Sequence, residues 1–215
     1  LKKKKNRAIQ NIGGIGNVTV LSKDCDTFAF DTGPGNMLID YYVQKFFNMP
    51  YDKGGEIALK GKVDEDWLQS LMDEPYYSMH PPKSTGRELF NNDYAQKILK
   101  NAPENKFDII ATITALTAKT IFDAYRHCVL PKTSIQEIVL GGGGAYNKAL
   151  IKYLNSYFNN TVIIKTHKDF GIDDKFKEAI AFAMLGFCTL NKKCNNLELC
   201  TGAQKRVIMG LISYS

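Results

Sequence analysis

Paired cysteines are missing from this sequence. The five that occur (Cys25, Cys128, Cys188, Cys194, Cys200) are odd in number, and no two stand as CxxC. That argues against a disulfide framework and against a zinc ribbon. The three histidines, His80, His127 and His167, show neither HExxH nor HxH spacing, so no metal site is predicted from them. No apolar run approaches the ~18 residues that span a bilayer. The longest, Ala179–Cys188, predicts a buried helix, and no membrane partner is expected. A secretory h-region does not follow the opening lysines, so free thiols in a reducing cytoplasm are expected. A basic stripe interleaved with aromatics is also lacking, and with it the signature of a nucleic-acid partner. Repeats of 20–50 residues are not seen.

Net charge is +6, but four of the 28 basic residues are the run Lys2–Lys5. Residues 1–6 therefore predict a basic tail or interdomain segment. Beyond it the elements open β-β-β-α. Arg7–Ile12 alternates weakly. Val18–Leu21 is β-branched, and Thr27–Phe30 is a third strand ending at Asp31. Asp31-Thr32-Gly33-Pro34-Gly35-Asn36 carries two glycines and a proline, which predicts a tight turn and the end of the strand. Met37, Leu38, Tyr41, Tyr42 and Phe46 then recur at helical spacing.

Residues 51–106 read as a helical insertion, with helices over Asp64–Met72 and Asp93–Lys100. Phe107–Val129 is a long periodic helix stopped by Pro131. A βα rhythm follows: strand Ile135–Leu140, loop Gly141–Gly144, helix Asn147–Phe158, strand Thr161–Thr166, helix Asp174–Leu190. Val207–Ile212 predicts a last strand. The expected fold is α/β, a ribonuclease-H-like mixed sheet with helices on both faces and a helical insertion, built over residues 7–215. That arrangement also builds each lobe of the actin, Hsp70 and sugar-kinase superfamily. The fold alone assigns no chemistry.

Three segments can carry chemistry. The hairpin tip Gly13-Gly14-Ile15-Gly16-Asn17 is either an ordinary turn or an anion nest of backbone N–H groups suited to phosphate. Asp31, near the carboxyl end of a strand and ahead of a helix N-terminus, either holds its own turn or takes a proton from a hydroxyl or water. Gly141–Gly144, between a buried strand and a helix, lets a flat ligand such as a nucleoside lie against backbone. It is not a Walker A loop, because Asn147-Lys148 stands where Gly-Lys-Ser/Thr is required. Two further features are open. Pro81-Pro82-Lys83-Ser84-Thr85-Gly86-Arg87-Glu88 sets cations around hydroxyls, as a ligand loop or a structural one. Glu178 lies on the apolar helix, facing either inward or to solvent.

Read jointly and in order, these strings resemble the anhydro-N-acetylmuramic acid kinase family. They are Asn-Ile-Gly-Gly-Ile-Gly-Asn, Asp-Thr-Gly-Pro-Gly-Asn, Pro-Pro-Lys-Ser-Thr-Gly-Arg-Glu, Gly-Gly-Gly-Ala-Tyr-Asn and Glu-Ala-Ile-Ala-Phe-Ala. The ending Asn196-Leu197 and Thr201-Gly202-Ala203 is similar too. The resemblance implies an ATP-dependent kinase, using Mg²⁺, that phosphorylates 1,6-anhydro-N-acetylmuramic acid and opens its anhydro ring with water. The product would be N-acetylmuramic acid 6-phosphate, recycled from the cell wall.

By the resemblance, Asp31 matches the catalytic base, and Thr32, Gly33 and Asn36 help shape the sugar pocket. Gly13, Gly14, Gly16 and Asn17 match a phosphate hairpin. Gly141, Gly142, Gly143 and Gly144 match the adenosine loop, and Glu178 matches a recurrent acidic position. The family's Gly-Thr-Ser-x-Asp-Gly loop has no counterpart here, and the chain opens on Leu1 rather than Met. The expectation is a carboxyl-terminal lobe, inactive without its amino-terminal lobe and able to form a homodimer through an exposed apolar face. The alternatives are a non-catalytic nucleotide-binding remnant or interaction module, and a two-metal nuclease. The nuclease would need several clustered carboxylates and leaves the glycine loops unexplained.

Overall fold

A computed structural model describes residues 5–171 and 176–213. Strands β1 (Arg7–Ile12), β2 (Ile15–Leu21) and β3 (Phe28–Pro34) form an antiparallel meander. Strands β4 (Glu137–Gly141) and β5 (Ile163–Thr166) add in parallel beside β1, giving the order β3-β2-β1-β4-β5. This is the expected ribonuclease-H-like mixed α/β sheet. Because side chains alternate across a strand, Ala8 and Ile12 share one face with Val18 and Val20 of β2. That face, with Phe28, Phe30, Ile138 and Leu140, packs on the second half of helix α5 and on α6.

The helices are α1 (Met37–Phe47), α2 (Glu65–Leu71), α3 (Pro75–Ser78), α4 (Asn92–Ile98), α5 (Lys106–Ala124), α6 (Lys148–Tyr157), α7 (Lys177–Leu190) and α8 (Glu198–Thr201). Asp64, Asn91, Asn105 and Asn147 start α2, α4, α5 and α6 by accepting backbone N–H bonds at 2.9–3.0 Å; each such cap stabilises by about 1 kcal/mol. A second core joins α1, α2 and α4 to the first half of α5 through Leu38, Tyr42, Trp67, Leu68, Ile110 and Ile113. Helix α5 is thus the spine of both cores, roughly 28 Å long at 1.5 Å per residue. It is apolar almost all round, as a buried helix must be. Its buried threonines keep their hydroxyls bonded to carbonyls: Thr114 to Ile110 (2.7 Å) and Thr120 to Thr117 (3.0 Å).

Four expectations need correction. β3 does not stop at Asp31 but runs on to Pro34. Gly33 takes φ +137°, the ladder shifts register at Gly16/Asn17, and β3 is an edge strand, where proline is tolerated. Helix α5 ends at Ala124, and Tyr125–Val129 continue it as one π-helical turn. Helix α7 is not buried: Phe182, Met184 and Leu190 are 71%, 65% and 69% exposed. Hydrophobicity says that a helix wants cover but names no partner. Finally, Val207–Ile212 forms no strand. Asn196 Oδ1 takes the Val207 N–H (2.7 Å) and Asn195 Oδ1 the Met209 N–H (2.6 Å), so carboxamides replace the ladder. Lys2–Lys4 and Asp174 lie outside the described residues. Lys5 is tied down, its ammonium 2.7 Å from Glu137.

Candidate functional site

Three bends meet at the carboxyl ends of β1, β3 and β4, the edge where α/β sheets receive ligands. At the hairpin tip, the Gly13 carbonyl accepts the Asn36 N–H at 2.7 Å. The Gly14 carbonyl accepts those of Gly35 and Met37 at 2.9 and 3.2 Å. The start of α1 is therefore strapped to the tip. Gly35 is the only residue type that fits there, since a Cβ would overlap the Gly13 carbonyl and lie 3.0 Å from the Ile15 carbonyl carbon. Behind it, Thr117 of α5 donates to the Gly35 carbonyl at 2.9 Å. Asn36 Nδ2 donates to the Ile12 carbonyl at 3.2 Å. Gly142, at φ +78°, lies so close to that carbonyl that a Cβ would sit 2.6 Å away.

Asp31 lies three residues upstream on β3, roughly 10 Å from Pro34 by strand rise. It pairs with Asn17 across the ladder. Three of its polar atoms are engaged by residues 76–85. Its N–H donates to the Lys83 carbonyl (3.2 Å), its carbonyl accepts the Tyr76 hydroxyl (2.9 Å), and Oδ2 accepts the Thr85 N–H (2.9 Å). Burial pushes its carboxyl above the ordinary aspartate value and Glu88 adds to that, while the Thr85 amide and Lys83 pull the other way. Asp31 lines a cavity of about 300 Å³ with Asn17, Lys83, Ser84, Cys200 and Thr201 among others.

Two more cavities open beside the strapped tip. One, of about 460 Å³, is lined by Asn36, Asp40, Tyr51, Gly143, Tyr146 and Asn147 among others. The other, of about 710 Å³, is lined by Gly14, Asp40, Tyr41, Arg87, Asn91 and Asp93 among others. Asp40 sits in the wall of both. Burial, reinforced by Asp52, pushes its carboxyl up to about 6. Asp52 spends both oxygens on the N–H groups of Ile57 and Ala58 (2.9 and 3.0 Å), which leaves Asp40 as the available acceptor. Sequence reasoning gives no cause to single out Asp40, which reads as one charge on the polar side of α1. The signal available was its place in the first turn after a glycine-rich bend.

The other residues singled out from the sequence divide clearly. Gly13, Gly14, Gly33, Asn36 and Gly141–Gly144 belong to the joined bends or their strands. Gly16 lies under Thr32. Thr32 is buried, with Gln10 Nε2 3.4 Å from its hydroxyl, on the opposite side of β3 from its neighbour Asp31. Asn17 shares the Asp31 cavity. Glu178 is exposed in the first turn of α7 and is not brought to these bends. Among the described residues, no three His, Cys, Asp or Glu side chains are grouped to hold a metal ion.

The chain is 46% identical over 215 residues to an anhydro-N-acetylmuramic acid kinase of Clostridioides difficile (strain 630), covering 98% of this chain and 56% of that protein. It is 48% identical over 216 residues to the enzyme of the same name from Francisella tularensis subsp. novicida (strain U112), again covering 56% of it. The chain thus spans little more than half the length of these relatives. Among solved structures, the activator of the 2-hydroxyisocaproyl-CoA dehydratase from Clostridium difficile, with bound ADPNP, overlaps 76% of this chain and 54% of its own. Its TM-score is 0.47 and its identity 16%, a likeness that bears on neither substrate nor mechanism. The model of the family described as anhydro-N-acetylmuramic acid kinase matches residues 1–215, and with that match along its whole length the chain belongs to the anhydro-N-acetylmuramic acid kinase family.

Proposed function

We propose that this chain is the carboxyl-terminal lobe of a kinase that phosphorylates 1,6-anhydro-N-acetylmuramic acid with ATP while opening its anhydro ring with water. The observation that carries the reading is the Asp31 carboxylate, fixed by an amide at 2.9 Å and facing a cavity. In the proposed reaction Asp31 takes a proton from water as that water attacks the anomeric carbon. The bond from that carbon to O6 breaks, O6 takes the γ-phosphoryl group, and ADP leaves. One carboxylate then serves both hydrolysis and transfer. Asn17 and the tip glycines Gly13, Gly14 and Gly16 are proposed to lie on the phosphate side. Gly33 and Asn36 are proposed to shape the sugar side; Thr32, buried on the other side of β3 from Asp31, and Glu178, exposed, are assigned no role.

The residues present suit a nucleoside. The cavity of about 460 Å³ sets Gly143 beside Asn36, with Tyr51 and Tyr146 as flat walls and Asp40 as an acceptor; such pockets are apolar with a few polar groups. We assign Gly141–Gly144 to the adenosine. ATP, when bound, supplies the phosphoryl group. Mg²⁺ is proposed to come with the nucleotide, held largely by its phosphates. The proposed partners are ATP, the anhydro-sugar and the amino-terminal half of the relatives. A second copy is proposed on the apolar surface of α7. Among the described residues no helix is long and apolar enough to cross a membrane. A cytoplasmic location is proposed on the five free cysteines.

Half a nucleotide cleft does not orient a γ-phosphoryl group, so the isolated chain is expected to turn over little or no substrate. A coupled ADP assay with the anhydro-sugar tests this, run with and without a separately expressed amino-terminal half. Activity restored by complementation supports the reading. Robust turnover by the chain alone removes the half-site argument. Nucleotide binding with no activity on complementation favours a non-catalytic remnant.

A further inference from the structure

We propose that the Pro81–Glu88 loop is the positioning element of this site, with Lys83 and Thr85 holding the Asp31 carboxylate in place. The inference rests on Asp31 being the reactive carboxylate and assigns a role to a string that the proposed chemistry leaves idle. The loop reaches Asp31 from 54 residues away and grips it at two atoms. The Lys83 carbonyl accepts its N–H, and the Thr85 N–H bonds Oδ2. Helix α3 adds the third grip through the Tyr76 hydroxyl. A carboxylate so held keeps one oxygen, Oδ1, for other work.

Lys83 is what fixes the loop to α3. It is only 7% exposed. Its ammonium donates to the Tyr76 carbonyl (3.1 Å) and lies 3.4 Å from that of Tyr77. It also sits 4.6 Å from the centre of the Tyr76 ring, a favourable cation–π placement. Burying an ammonium is costly, and an apolar side chain would fill the space without that cost. No carboxylate forms an ion pair with Lys83 among the described residues. The groups that face Asp31 electrostatically are Lys83 and Glu88 of the loop and Tyr76 of α3, with Cys200 of α8 across the cavity. Lys83 is the only cation in that set. The Thr85 hydroxyl is buried with no hydrogen-bond partner among the described residues.

The test reads the Asp31 carboxyl directly, by carbon-13 NMR titration of this chain, with Asp31→Asn to assign the signal. Lys83→Met removes the cation and keeps the stem. The Asp31 midpoint is then expected to rise, because an opposite charge has been lost. Lys83→Arg keeps the charge and is expected to keep most of the original midpoint. A folded Lys83→Met chain with an unmoved midpoint overturns the proposal. A second measurement needs no substitution: the Thr85 amide resonance of the unaltered chain should titrate with the Asp31 midpoint. Its failure to do so overturns the proposal even where Lys83→Met does not fold. The underlying reading fails separately, if Asp31→Asn leaves the complemented kinase fully active.

Discussion

Gly35→Ala strikes the joint on which the site is built. The added methyl group meets three backbone atoms at once: it overlaps the Gly13 carbonyl, and lies 3.0 Å from the Ile15 carbonyl carbon and 3.1 Å from the Gly14 carbonyl. None of these is the end of a flexible side chain, so the hairpin tip must lift or the start of α1 must move. Overpacking of this kind costs about 1–3 kcal/mol. The three amide bonds from Gly35, Asn36 and Met37 to the tip are weakened together, at about 1 kcal/mol for each one lost. A loss of about 3 kcal/mol follows, or a Tm lower by about 6–12 °C for a chain of this size. The control is Gly186→Ala on α7, where no described atom outside the helix's own backbone and the adjacent residues lies within 4 Å of the new methyl. Helix propensity alone should make that variant about 0.5–1 kcal/mol more stable. Urea unfolding of both variants, followed by circular dichroism, reads the difference. A Gly35→Ala chain within about 1 kcal/mol of the parent would falsify the strapped-joint reasoning.

Thr117→Val leaves the buried Gly35 carbonyl without the hydroxyl that now bonds it at 2.9 Å; a loss of about 1–3 kcal/mol is expected in the same urea assay, and an unchanged midpoint would show the bond to be idle. Glu137, buried beneath Lys5, Arg7 and Lys165, is pulled from 4.5 down to about 2, first by Lys5 and then by Arg7. Its stabilisation is therefore present above the ordinary glutamate value and is lost as pH falls through about 2. Glu137→Gln should be the less stable chain at neutral pH, with the gap closing in acid; a gap independent of pH would contradict this. Asp40 is raised from 3.8 to about 6, the opposite sign, so its charge opposes folding above that value and the penalty fades as pH falls through it. Asp40→Asn should be the more stable chain in mild alkali and equal to the parent near pH 3.8 or below; a variant less stable in alkali would refute the assignment.

The frame of the fold was legible because its signals are local. Alternation along Arg7–Ile12, a β-branched run in β2, and helical spacing from Met37 to Phe46 each act over a few residues. The glycine bends were legible for a different reason: only glycine permits the approach of Gly35 to Gly13 or of Gly142 to Ile12. What pairs with Asp31 was not legible. The Pro81–Glu88 string stood out, yet nothing in spacing or period says that the amide of Thr85 meets a carboxylate 54 residues earlier. Such a contact is set by how α3 docks on β3 and α5, which is tertiary. Asp40 was invisible on the same grounds, since its raised value comes from the cavity wall and from Asp52, not from its neighbours in α1.

The misread segments fail in one common way. Gly33 and Pro34 break most strands, but a register shift opposite them and an open strand edge let β3 continue; propensity weighs residue types, while the sheet offers particular vacancies. Helix α7 is the same case inverted. Its apolar residues predicted burial, and Phe182, Phe187 and Leu190 instead stand more than half exposed. Composition states a demand for cover, and only a neighbour can satisfy it. The tail meets its demand differently: the carboxamides of Asn195 and Asn196 take the N–H groups of Met209 and Val207 that a strand partner would have taken. Two asparagine side chains can thus do the work of a ladder because an amide hydrogen bond does not depend on whether its acceptor is main chain or side chain. A sequence that shows the need therefore leaves open which of the two will meet it.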